Sequence, residues 1–207
     1  MVAEHARLRT DARAFAIDNG LYYVDDGGSV DLMEGAGTVG LEVAHALPCV
    51  DLMFVPVGDA ALINGSACAL KARHPNARVI AVQAARAPAL TESFQAGHSV
   101  ERPANTIADG LGTTEPAERA LAGMLTFVDD AVLVSEIDLL GAIRSLIECA
   151  HLLVEPSGAA ALAGAWAKRE ELTGKQVVLI LTGANVTTEI LVRALSTAPL
   201  LSSEGLV

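Results

Sequence analysis

Short runs of consecutive apolar residues, bounded by charged or turn-forming positions, alternate along this chain with longer stretches of helical spacing. Residues 52–57 (LMFVPV) lie between Asp51 and Gly58, residues 78–83 read RVIAVQ, and residues 131–134 and 176–181 (QVVLIL) repeat the theme. Continuous apolar runs of this length mark strands covered on both faces, as in a parallel sheet. A further short run, residues 21–24, reads as a strand ahead of a turn at 25–29 (DDGGS). Helices are predicted over 3–18, ended by Asn19-Gly20, and over 38–47, stopped by Pro48. Others follow over 62–73, 88–95, 116–125 and 157–171, with a last one over 186–195. Ser135 opens another, with Asp138 at the spacing of a capping box. Residues 101–112 lack a period and form a long loop, and 196–207 form an irregular tail. The alternation predicts an α/β fold: a largely parallel twisted sheet with helices on both faces and right-handed crossovers.

Composition narrows the partners. The 207 residues carry a formal net charge of −11 and are 52% hydrophobic but only 3% aromatic. With so few Lys and Arg, no basic patch is available for nucleic acid or an anionic membrane surface. The apolar runs are too short to span a bilayer, and the mixed-charge N-terminus is not a signal peptide. Cys49, Cys68 and Cys149 lack metal spacing and are expected to be buried free thiols in a reducing cytoplasm. Five scattered histidines give no paired-ligand pattern, so no metal site is expected.

In open α/β sheets, ligands bind at the carboxyl ends of strands, so the turns there carry the chemistry. Four are rich in small residues: Gly35-Ala36-Gly37-Thr38, Gly58-Asp59-Ala60-Ala61-Leu62, the segment from Glu155 to Ala159 (EPSGA), and Thr182-Gly183-Ala184-Asn185. Such turns let backbone N–H groups and a helix N-terminus approach an anion. None matches the phosphate loop of nucleotide hydrolases or the dinucleotide fingerprint.

In this order, with EGAGTVGLEV from Glu34, VPVG ending at Gly58, TIADGL from Thr106 and VVLILTGANV from Val177, these segments resemble the threonine dehydratase and serine racemase group. These are fold type II enzymes dependent on pyridoxal 5'-phosphate, and the resemblance implies their large domain. It further implies that Gly58, Asp59, Ala60, Ala61 and Leu62 cradle the cofactor phosphate. Thr182 would bond the pyridine nitrogen, with Glu155 and Gly110 beside the ring. Gly35, Ala36, Gly37 and Thr38 would form a substrate-side turn, Ala36 standing where the family has Gln. The implied activity is deamination of threonine or serine to a 2-oxo acid, with a small amino acid as substrate.

The departures are as informative. The family's Schiff-base lysine belongs to an S-x-K-x-R-G type motif that this sequence lacks. Its only lysines are Lys71, Lys168 and Lys175, all read as solvated surface residues. No catalytic residue is therefore assigned, and the chain is expected to be inactive alone. The alternative is a non-catalytic protein that keeps the fold. Asp59 places a carboxylate where the family's glycines face phosphate, which weakens cofactor binding. Gln83, Ala87 and Ala89 occupy the stretch where some members hold a divalent cation. The expected layout is a remnant of the small mobile domain over 1–33, the large domain over 34–195 and a tail over 196–207. A large domain shortened at its N-terminus is expected to leave apolar faces for a homo-oligomer or another partner.

Overall fold

The computed structural model describes the backbone of residues 2–201 and side chains from residue 10 onward. Four parallel strands, β1 (Leu52–Pro56), β2 (Arg78–Ala84), β3 (Asp130–Val134) and β4 (Val177–Leu179), form one sheet in the order β3-β2-β1-β4. Eight helices surround them among the described residues: α1 (Val2–Asp18), α2 (Val30–Ala46), α3 (Ala61–Arg73), α4 (Ala89–Ala96), α5 (Glu118–Phe127), α6 (Glu136–Ser145), α7 (Pro156–Ala167) and α8 (Thr188–Leu195). None is long and apolar enough to cross a membrane.

The unbroken apolar strands follow from burial on both faces. Leu52, Phe54, Ile80 and Val82 point to one side and pack with α6 and α7. Met53, Val55, Val79 and Ala81 point to the other, with Ile63, Leu70 and Met124 of α3 and α5. The alternation within each strand is the two-residue period of the pleat. Ser135 caps α6 with Asp138 in a full capping box. The tail docks as far as Leu201, whose N–H donates to Ser145 Oγ at 2.9 Å. Its residues 202–207 lie outside the described part.

Three expectations are corrected. First, residues 21–24 form no strand and pair with none among the described residues. Second, Gly35, Ala36, Gly37 and Thr38 form no turn: they lie inside α2, which starts at Val30 behind a Ser29 cap. Of the glycines of α2, Gly37 and Gly40 lie where it crosses α3, whereas Gly35 meets nothing. A methyl on Gly40 would stand 2.9 Å from the Ser66 carbonyl carbon, and one on Gly65 would stand 2.7 Å from Gly37 N. Only hydrogen fits between the two backbones. Third, the cysteines are not all buried. Cys49 and Cys68 are exposed and Cys149 is half-buried, all as free thiols.

Candidate functional site

The carboxyl ends of β1 and β4 open onto a cavity of about 300 Å³. Gly58, Asp59, Ala60, Ala61 and Leu62 line it from the turn after β1, Gly110 and Leu111 from a short 3-10 turn, Glu155 and Ser157 from the start of α7, and Thr182 and Gly183 from the end of β4. Residues separated by more than a hundred positions in sequence thus share one wall. Asp26, from the α1–α2 connection, joins them and was not anticipated. Its neighbour Gly27 packs on Asp59, where an added methyl would stand 3.3 Å from the Asp59 carbonyl oxygen.

Ala60 explains the loop's shape. It holds φ 66°, a left-handed conformation that costs a non-glycine residue roughly 1–2 kcal/mol. The backbone therefore makes, with an alanine, a turn of the kind glycine readily adopts. That turn aims the N-terminus of α3 at the cavity, with the unpaired N–H groups and positive end of the helix dipole. The wall is closely packed: a methyl on Gly58 would stand 3.2 Å from the Gly110 carbonyl carbon, and one on Gly183 2.6 Å from the Glu155 side-chain carboxyl. Gly110 N donates to Ser157 Oγ at 3.0 Å, fixing the 3-10 turn against α7.

The carboxylates are held in place. Glu155 Oε2 accepts from Asn185 N at 2.9 Å, and the Glu155 N–H donates to the Gly183 carbonyl at 3.0 Å. Asp59 Oδ1 accepts from the Thr113 hydroxyl at 3.2 Å. Thr182 is exposed, its side chain open to a ligand. No Lys, Arg or His is among the described residues lining the cavity.

The lysines sit elsewhere. Lys71, in the last turn of α3, pairs with Asp129 at 2.7 Å. Lys168, just past α7, pairs with Asp130 at 2.7 Å and Glu171 at 3.3 Å. Both are largely covered by these pairs rather than solvated. Lys175 is exposed and lies two residues before β4. Asp129 and Asp130 stand at the start of β3, so all three lysines gather at the amino edge of the sheet, opposite the cavity. For Asp130, burial raises its carboxyl pKa, but hydrogen bonds from Lys168 and the Ala131 N–H, with the charges of Lys168 and Arg78, bring it below the ordinary value. The hydrogen bond to Asp130 raises the Lys168 pKa against the effect of its burial.

Gln83 is fully buried, and its Oε1 accepts from Thr91 N at 2.9 Å, capping α4 from the preceding strand. Among the described residues no group of three or more His, Cys, Asp and Glu comes together to hold a metal ion.

The family model for pyridoxal-phosphate-dependent enzymes matches residues 2–183. The chain belongs to this family. Within it, the match is to the fold type II large domain of the threonine dehydratase and serine racemase group. An L-threonine ammonia-lyase of Geobacter sulfurreducens is 40% identical over 157 residues, covering 75% of this chain and 39% of that enzyme. The solved threonine deaminase isoform 2 of Solanum lycopersicum superposes with a TM-score of 0.85 at 29% identity, covering 90% of this chain and 55% of that one. Maize serine racemase gives a TM-score of 0.80 at 28% identity, covering 89% and 57%. The chain thus spans between two fifths and three fifths of the length of these relatives.

The cavity fits, in part, the cofactor that the family implies. The backbone cradle and the α3 N-terminus suit a phosphate, and Thr182 suits a ring nitrogen. Among the described residues, the lining offers no amine for covalent attachment.

Proposed function

We propose that these residues form the phosphate- and ring-facing wall of a threonine- or serine-ammonia-lyase type site, and that they do not deaminate amino acids by themselves. One observation carries the reading: the cavity at the carboxyl edge of the sheet has the cradle, while every lysine of the chain lies at the amino edge. The anchoring lysine would then come from polypeptide outside these residues, and residues 1–33 would be a remnant of the small mobile domain.

Each residue has a defined part in this reading. The N–H groups at the start of α3, from Ala61 and Leu62, would hold the phosphate. The Thr182 hydroxyl would bond the pyridine nitrogen without protonating it, while Glu155, fixed by Asn185 N–H, would border the ring. When bound, the cofactor supplies an electron sink for removal of the substrate's α-proton. A neutral partner at the ring nitrogen would moderate that sink, which suits elimination of water.

Titration with pyridoxine 5'-phosphate, which has no aldehyde to react with surface amines, tests the wall by calorimetry. Saturable binding is expected, weakened several-fold in Thr182→Val. Incubation with pyridoxal phosphate and L-threonine or L-serine should release no 2-oxo acid. Absence of saturable binding, or 2-oxo acid release by this chain alone, would overturn the reading.

A further inference from the structure

We propose that Glu136, which does not itself line the cavity, is a positioning residue for the wall that faces the ring, an inference that rests on the reading above. Its carboxylate tethers the turn that carries Gly110.

Glu136 is the first residue of α6 and stands just past the carboxyl end of β3, two strands away from β1. From there it reaches into the long loop. The Thr106 hydroxyl donates to Glu136 Oε1 at 2.7 Å, and the Ile107 N–H donates to Oε2 at 2.9 Å. Each carboxylate oxygen takes one donor, and bonds to a charged acceptor are stronger than neutral ones. Thr106 Oγ1 in turn accepts from the Ala108 N–H at 3.1 Å. A hydroxyl that donates on one side and accepts on the other has a fixed orientation. One side chain thus sets three consecutive residues, Thr106, Ile107 and Ala108.

Those residues lead directly into the wall. Ala108 is fully buried, and its carbonyl accepts from the Leu111 N–H at 2.8 Å to close the 3-10 turn over 109–111. Gly110, in that turn, lines the cavity and packs against both Gly58 and Ser157. A methyl on Gly110 would stand 3.0 Å from Ser157 Oγ and 3.9 Å from Glu155 Oε1. A small shift of the turn therefore narrows or opens the space beside a ring. Between α4 and this turn the chain has no regular element. Its position depends on individual bonds rather than on a ladder, and the Glu136 pair is the one that enters the turn from its N-terminal side.

A second role for Glu136 would be purely structural, as an acidic residue in the first turn of α6. The helix has its own cap in Ser135 and Asp138, so the two roles separate by substitution. The test is calorimetric titration with pyridoxine 5'-phosphate, with thermal melts and amide hydrogen exchange on the same variants. Glu136→Ala removes both bonds and should bind about fivefold more weakly, with faster exchange at the Gly110 N–H. Glu136→Gln retains an acceptor for the Ile107 N–H and presents its amide to Thr106 Oγ1, so binding should return to within about twofold of the parent. Ser135→Ala cuts the cap and should lower Tm while leaving binding unchanged. Parental binding by Glu136→Ala would overturn the proposal. So would a Glu136→Gln variant as weak as Glu136→Ala, which would make the role one of charge, or equal weakening by Ser135→Ala, which would make it one of helix stability. If the parent chain itself binds no pyridoxine 5'-phosphate, the functional reading falls; faster Gly110 exchange in Glu136→Ala alone would then uphold the tether, and unchanged exchange would overturn it.

Discussion

The crossing of α2 and α3 makes the sharpest mechanical prediction, because two glycines of one helix should respond in opposite ways. At Gly40 an added methyl meets Ser66 backbone, 2.9 Å from its carbonyl carbon and 3.0 Å from its Cα. Neither atom can turn away as a side chain would, so the helices must separate. Overpacking of this kind costs about 1–3 kcal/mol, and a collision with rigid backbone belongs at the upper end. Alanine regains about 1 kcal/mol of helix propensity over glycine. Gly40→Ala should therefore destabilise by about 1–2 kcal/mol, lowering Tm by roughly 2–8 °C in a chain of this size. Gly35 lies in the same helix with nothing within 4 Å of its would-be methyl. Gly35→Ala keeps the propensity gain alone and should raise Tm by roughly 2–4 °C. Parallel thermal melts by circular dichroism measure both. A Gly40→Ala variant as stable as Gly35→Ala would refute the close-crossing argument.

Two further predictions concern charge. Asp59→Asn keeps an acceptor for the Thr113 hydroxyl but removes a negative charge beside the end of the cavity proposed to take the phosphate. A unit charge about 6 Å from a phosphate costs roughly 3 kcal/mol at an effective dielectric near 20, and solvent screening reduces this. Calorimetry should show pyridoxine 5'-phosphate binding at least threefold tighter and pyridoxine unchanged; equal gains for both would contradict it. At the opposite edge, Lys168→Met removes the partner that lowers the Asp130 pKa. The stabilisation linked to Asp130 is present above the ordinary carboxylate pKa and lost as pH falls through its lowered folded value. That linked to Lys168 is present below the ordinary lysine pKa and lost as pH rises through its raised value. Denaturation should show the variant weaker near neutral pH and converging with the parent in acid. A deficit persisting unchanged at low pH would point to lost packing instead.

The strands were legible because burial on both faces leaves an unambiguous apolar run. LMFVPV and RVIAVQ became β1 and β2 in register, Met53 beside Val79 and Phe54 beside Ile80. The Ser135 cap was legible for the same local reason, since its bonds close within four residues. The α2 boundary was not. Glycine inside a helix and glycine ending one look alike in sequence, and only α3, packed across Gly40, distinguishes them. Residues 21–24 carried a real strand pattern, but a strand needs a neighbour. In the site, the turn residues pointed to the cavity through Gly58, Gly110, Glu155 and Thr182. Asp26 escaped because its place there depends on how the α1–α2 connection folds over Asp59. Equally hidden was the left-handed Ala60, whose conformation no local alanine preference predicts.

Reductive labelling shows directly whether the cavity wall stands here without an anchoring amine. The chain is incubated with pyridoxal phosphate, reduced with borohydride, digested and mapped by mass spectrometry. No stoichiometric pyridoxyl-lysine is expected, only trace labelling spread over exposed amines such as Lys175. Stoichiometric modification of Lys71, Lys168 or Lys175 alone would contradict it.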